Sequence, residues 1–402
     1  MINLETPRKF KPLVAQANQV AHEIFRPISR KYDTAEHTYP RELDMLASLI
    51  DGMNEGGENG AGASGVRRNG NTPHTGNRNG SNLSTVLSII ELAWGDVGLL
   101  LSMPRQGLGN SAIASVATEE QLARYGGRWA AMAITEPEAG SDSAAIRTTA
   151  RLDGEEYILD GEKIYVTSGE RADLVVVWAT LDPSKGRAAI KSFIVERSNP
   201  GMKLERLEHK LGIRASDTAA FRLEDCRVPK EALLGSPDID VKQGFGGAMQ
   251  TFDNTRPLVA AMAVGVTRAA LDETHRLLGQ RGSYIDYDRT ELAHTASAAR
   301  LLAMEADYEA ARLLTLNAAW MADNDRPNSL HASMAKAKAG RTCVEVTLGC
   351  VELCGSSGCA ETLLLEKWAR DAKILDIFEG TQQIQLLVIA RQLLGKNSSE
   401  LK

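Results

Sequence analysis

Glu379 is one side chain in this sequence placed to do chemistry. It lies in Trp368-Ala-Arg-Asp-Ala-Lys-Ile-Leu-Asp-Ile-Phe-Glu-Gly-Thr-Gln-Gln-Ile-Gln385, after Ile377-Phe378 and before Gly380. Thr381 is spaced to cap a helix that starts at Gln382. A carboxylate between an apolar segment and a helix start suits a proton-abstracting base. Apolar surroundings raise its pKa, and the helix dipole holds it down. The plainer alternative is an ordinary acid of the capping region.

Three further stretches carry usable chemistry. In Ala133-Ile-Thr-Glu-Pro-Glu-Ala-Gly-Ser-Asp142, Thr135, Gly140 and Ser141 set small hydroxyls and a permissive backbone beside a strand end. That suits close approach of a planar or phosphorylated ligand, or is a polar turn. In Lys163-Ile-Tyr-Val-Thr-Ser-Gly169, Tyr165 and Thr167 share one strand face. They suit the wall of a flat ring, or form an ordinary strand pair. In Phe252-Asp-Asn-Thr-Arg-Pro257, Asp253 and Arg256 stand at i, i+3 of a helical pattern. Either they pair with each other or they meet a polar ligand. Pro257 removes one helix hydrogen bond and is expected to kink the helix. The sequence has no Ser–His–Asp order, G-x-S-x-G, Walker run, H-E-x-x-H or Rossmann glycine fingerprint. A dinucleotide would have to bind by another route.

The elements that must position these residues follow from hydrophobic period. Residues 1–130 read as an N-terminal α-helical domain, with Asn82–Trp94 the clearest helix. Within it, 52–80 is dense in Gly and Asn and cannot bury enough apolar surface to offset its ordering entropy. It is expected to be a mobile, inserted loop. Over 131–240 the period shortens. The run 144–152, then Asp153-Gly154, then 155–159, signals a hairpin; Asp160-Gly161 offers a second turn. Strands are expected over 172–180, 192–196 and 219–224, making an antiparallel barrel or sandwich. From 241 to 402 the helical period returns, over 245–280, 288–325, 328–354 and 382–394, as in a four-helix bundle. The fold class is α+β, in the order α, β, α.

Composition narrows the function classes. With 402 residues, 43% hydrophobic and 24% charged, the chain is ordinary globular material for two to four domains at roughly 100–200 residues each. The 46 Lys+Arg against 52 Asp+Glu give a net charge of -6, which argues against a nucleic-acid binder. Met1–Phe10 has no apolar core, so no signal peptide is expected, and no apolar run is long enough for membrane insertion. Five cysteines without a C-x-x-C pair read as reduced, buried thiols in a cytoplasmic protein, with no metal site.

Taken together and in order, the motifs resemble the acyl-CoA dehydrogenase family of flavoenzymes. The resemblance runs from about residue 83 to 394. It rests on Ile134-Thr-Glu-Pro-Glu-Ala-Gly-Ser-Asp142, Lys210-Leu-Gly-Ile-Arg214, Phe252-Asp-Asn-Thr-Arg-Pro257, Arg370-Asp-Ala-Lys373 and Phe378-Glu-Gly-Thr-Gln-Gln-Ile-Gln385. It implies FAD between the β domain and the bundle, completed by a neighbouring subunit. Thr135, Ser141, Tyr165, Thr167, Thr381 and Gln383 would contact the flavin dinucleotide, with Tyr165 in place of the usual Trp. Arg281 would reach FAD across the dimer interface. Ser141, Asp253, Arg256 and Gly380 would bind or flank acyl-CoA. Glu379 would be the catalytic base, removing the α-proton as a β-hydride passes to flavin N5. Some relatives carry the base in the earlier helix, where this chain has Thr255 and Arg256.

The resemblance further implies fatty acyl-CoA β-oxidation, with electrons leaving to an electron-transfer flavoprotein. The assembly would be a homotetramer, or a heterotetramer with a paralogous chain. Other readings are an assembly subunit with little turnover, and an acyl-CoA oxidase-like or nitroalkane oxidase-like flavoenzyme. Two segments depart from the family pattern. They are Arg281-Gly-Ser-Tyr-Ile285 and Glu352-Leu-Cys-Gly-Ser-Ser-Gly358. Glu352 puts a negative charge where a neutral amide is usual, and it needs a cation to offset it near a pyrophosphate.

Overall fold

The computed structural model describes residues 6–47, 78–104, 108–239, 246–396 and 400, with the backbone alone for 246–254. The Gly/Asn-rich stretch expected as a mobile loop lies outside the described residues from 52 to 77.

Helix α1 (Lys11–Val20) passes through a π-type segment, Ala21–Phe25, into α2 (Arg26–Thr34). Helix α3 (Ser81–Gly95) matches the apolar pattern from Asn82. Its first N–H groups have no partner within their own helix. The Asp323 carboxylate, from a distant helix end, accepts from the N–H groups of Gly80 (2.7 Å), Asn82 (3.0 Å) and Leu83 (3.0 Å). Three short helices follow: α4 (Val97–Leu101), α5 (Leu108–Val116) and α6 (Glu119–Tyr125).

Seven strands then form one curled sheet: β1 (Ala130–Ala133), β2 (Thr149–Asp153), β3 (Glu156–Thr167), β4 (Leu174–Thr180), β5 (Ile190–Glu196), β6 (Met202–Leu207) and β7 (Thr218–Pro229). The order is β1-β4-β2-β3-β7-β6, with β5 also on β4. Pairing is not wholly antiparallel as expected. β1 lies parallel to β4, Ala130 opposite Leu174, and β2 meets the end of β4 in parallel at Thr149 and Thr180. A parallel pair needs a long crossover, and 134–173, with the β2–β3 hairpin inside it, provides one.

That hairpin turns at Gly154-Glu155, between the facing pair Asp153 and Glu156. Its first strand begins only at Thr149, because 143–145 forms a helical turn. The second turn expected at Asp160-Gly161 is absent: β3 runs through it to Thr167. Gly161 (φ 152°) marks a bulge against β7, and a Cβ there would lie 2.5 Å from Thr148 Oγ1. The glycine serves close approach, not reversal.

The C-terminal helices are α7 (Gly246–Gln280), α8 (Ala296–Asp323), α9 (Ser329–Cys354), α10 (Leu365–Leu375) and α11 (Gln382–Leu394). Helix α7 continues through Pro257. One hydrophobic core joins the N-terminal helices to this bundle, with Phe25, Val86, Val264, Cys343 and Trp368. A second fills the sheet, with Val175, Phe193 and Phe221, and takes Ile113 from α5 and Tyr125 from α6.

Charges as well as apolar groups close the junction of the three regions. The Lys367 ammonium lies 2.8 Å from Asp96 and 2.6 Å from Asp371, all three fully buried. Asp371 also accepts the N–H of Ile213 from the β region (2.5 Å). All five thiols are free, and burial pushes those of Cys226, Cys343 and Cys350 up to about 12. Among the described residues no helix is long and apolar enough to cross a membrane.

Candidate active site

The turn between α10 and α11 carries Glu379 and Gly380 in left-handed conformations, φ 54° and 94°. For a glutamate this costs about 1–2 kcal/mol, so the surroundings must impose it. Two buried side chains do so. Gln385 Nε2 donates to the carbonyls of Glu379 and Gly380, both at 3.1 Å. Lys336 Nζ, from α9, donates to the Gly380 carbonyl at 2.6 Å. Thr381 caps α11, its hydroxyl accepting from the Ile384 N–H. The capping expected from sequence is therefore present, and it leaves Glu379 free to turn inward.

The Glu379 carboxylate reaches α7, where the Thr255 hydroxyl donates to it. Arg256 and Lys336 also face it. Burial pushes the Glu379 carboxyl above the usual carboxylate range; Thr255, Arg256 and Lys336 pull it down without cancelling that push. Burial likewise pushes the Lys336 ammonium down to about 8, with Asp376 and Glu379 opposing and Arg256 assisting. The residue as a whole is half-buried, and a carboxyl raised in this way is matched to proton transfer nearer neutral pH. Arg256 is itself buried. The Asp253 side chain lies outside the described residues.

The sheet gathers a second group. The Thr135 carbonyl accepts from the Ile164 N–H at 2.9 Å, tying the 134–142 loop to β3. Fully buried Lys163 pairs with Glu136 at 2.7 Å. Glu136 also accepts the N–H groups of Arg147 (2.6 Å) and Thr148 (2.9 Å), which pins the loop at both ends. Ser141 is exposed on its rim. On β3, Tyr165 (φ 57°) is 61% exposed, and half-buried Thr167 shares its face, opposite buried Val166. Gln383 is exposed near the start of α11. Arg281, just after α7, donates to Ser357 Oγ (3.1 Å) and the Cys354 carbonyl (3.4 Å), so the two departing segments touch. Arg300 forms an ion pair with Glu352 and supplies the offsetting cation.

Known proteins resemble this chain over most of its length. The acyl-CoA dehydrogenase middle-domain model matches residues 131–226, and the acyl-CoA dehydrogenase C-terminal-domain model matches 242–394. The caffeyl-CoA reductase-Etf complex subunit CarC of Acetobacterium woodii is 36% identical over 80% of this chain and 85% of its own length. The short-chain specific acyl-CoA dehydrogenase of Clostridium acetobutylicum is 35% identical over 79% of this chain and 84% of its own. This chain belongs to the acyl-CoA dehydrogenase family. The butyryl-CoA dehydrogenase structure from Megasphaera elsdenii superposes with a TM-score of 0.84 at 29% identity, covering 98% of this chain and all of that one.

Acyl-CoA dehydrogenases are FAD-dependent flavoproteins, and the residues here fit that group. Tyr165 leaves most of its ring open beside a hydroxyl on a pinned strand, which suits stacking on a planar heterocycle. The charge of Glu352 is answered by Arg300.

Sequence reasoning missed Lys336 and Gln385 as supports of the Glu379 turn, and weighed Thr255 only as a non-carboxylate. A signal for Lys336 existed: Ala332, Ala335, Ala339 and Gly340 surround it at helical spacing, placing it on a buried face. Gly380→Ala tests the turn. A Cβ there would lie 2.4 Å from Gln385 Nε2, at a φ that side chains rarely adopt. The variant is expected to lose about 1–3 kcal/mol of stability, read as a lower melting temperature by calorimetry. An unchanged melting temperature would mean the turn is not held as described.

Proposed function

We propose that the chain dehydrogenates an acyl-CoA thioester to the trans-2-enoyl-CoA, with Glu379 as the base. The observation that carries this reading is the half-buried Glu379 carboxylate, held in a left-handed turn and accepting from the Thr255 hydroxyl of α7. Thr135, Ser141, Tyr165, Thr167, Thr381 and Gln383, with Arg281 of a neighbouring subunit, would hold FAD, which would supply the two-electron chemistry for the β-hydride. Ser141, Asp253, Arg256 and Gly380 flank the acyl-CoA. The α-proton of a thioester is only weakly acidic, so Glu379 must be ionised, dry and close to it. The rigid turn supplies that placement.

Electrons leave to an electron-transfer flavoprotein, a reading supported by the relative named as a subunit of a reductase-Etf complex. Helix α11 exposes Leu386, Leu387, Leu393 and Leu394. Such an apolar face supports a tetramer, of this chain alone or with a paralogue. Free thiols fit the cytoplasm.

The decisive experiment is anaerobic mixing of the purified flavoprotein with a panel of acyl-CoA thioesters. At least one is expected to bleach the visible flavin band. No bleaching by any of them would overturn the reading. Rapid peroxide release in air, with no added acceptor, would replace it with an oxidase.

A further inference from the structure

We infer that Lys336 is a positioning residue for the base: from α9 it holds the Gly380 carbonyl inward, and its positive charge steadies the Glu379 carboxylate. This rests on the reading of Glu379 as the base.

Lys336 is 1% exposed. Lysines are almost never that deeply buried unless a carboxylate pairs with them. Among the described residues, no carboxylate stands within ion-pair distance of its Nζ. Its hydrogen bond goes instead to the Gly380 carbonyl at 2.6 Å. A neutral donor already serves that carbonyl, since Gln385 Nε2 reaches it and the Glu379 carbonyl as well. What Lys336 adds to the turn is therefore charge.

The charged groups around the base give that addition a direction. Arg256 faces Glu379 from α7, and Lys336 faces it from α9. Asp376, just after α10, helps to hold Lys336 protonated against its burial. Asp376 is partly answered in turn by Arg341 and Lys373, each at 3.5 Å. The balance near Glu379 is thus positive, which favours its ionised form against the burial that disfavours it. Removing the ammonium should tilt the carboxyl toward its neutral form, useless as a base, and loosen the left-handed turn.

The test compares wild type, Lys336→Met and Lys336→Arg as FAD-loaded proteins. An acyl-CoA that bleaches the wild type serves as substrate. Bound FAD is measured first. The rate of flavin reduction is then followed against pH. The carboxyl stretch of Glu379 is titrated by infrared difference against Glu379→Gln, which needs no turnover. Lys336→Met is expected to keep FAD and to reduce it about 10- to 100-fold more slowly. Its acid limb and its infrared midpoint should both rise by about one pH unit. Lys336→Arg, which keeps the charge, should restore both midpoints.

A Lys336→Met protein with wild-type midpoints overturns the inference. If the methionine variant does not fold, the arginine variant decides: wild-type midpoints support the inference, and raised ones sink it. Should Glu379→Gln still bleach fully, the base reading falls. The infrared midpoints still report whether Lys336 acts on that carboxyl.

Discussion

Replacing Glu379 with glutamine is expected to abolish flavin bleaching by acyl-CoA while leaving FAD bound. The substitution keeps the shape of the side chain and can still accept from Thr255. It removes only the capacity to take a proton. General-base catalysis is commonly worth about 10²–10⁴-fold. A loss of at least roughly 10³-fold in the stopped-flow reduction rate is therefore expected. In the wild type, the rate should climb with pH through the Glu379 pKa and then level. That pKa lies above the ordinary carboxylate range, because burial outweighs the nearby cations. Retention of most of the bleaching rate in the variant would remove Glu379 from the mechanism.

The second large effect is on stability. Lys367→Met would strip the cation from between Asp96 and Asp371, both fully buried. Breaking a buried pair from one side costs about 3–5 kcal/mol, because an uncompensated charge stays behind. At about 2.1 cal/mol/K of unfolding entropy per residue, the melting temperature should fall by roughly 4–6 °C. The loss should also depend on pH. Burial already holds the Asp371 carboxyl above its usual range, and losing the ammonium raises it further. A group whose folded pKa is raised contributes stability that is whole below its unfolded pKa, about 3.9 here. That stability drains away as pH rises through the folded pKa. The variant should thus fall furthest behind wild type near neutral pH and recover part of the gap on acidification. Equal melting temperatures across that range would show that the cluster does not hold the three regions together.

Element types were readable where one side chain period dominated. Helix α3 and the long helices α8 and α9 bury many apolar side chains over a long run, and β4 is buried at every position. Strand β6 escaped notice because it reads Met-Lys-Leu-Glu-Arg-Leu and lies at the sheet edge, where charges are tolerated and the alternation is blurred. Gly161 was misread because a glycine that permits close packing looks, in sequence, like a glycine that reverses the chain. The parallel pairing of β1 with β4 was invisible, since direction depends on a crossover and not on local pattern.

By itself, the sequence determined the order of helical and β regions and the capping of α11 by Thr381, and it offered Glu379 as a candidate base. Those follow from local spacing, which a chain carries with it before it folds. Only the tertiary structure decided what surrounds that carboxylate. Thr255, Arg256 and Lys336 come from two other helices, separated from Glu379 by as much as 124 positions. Their fields and hydrogen bonds act over a few ångströms of space, so no count along the chain could register them.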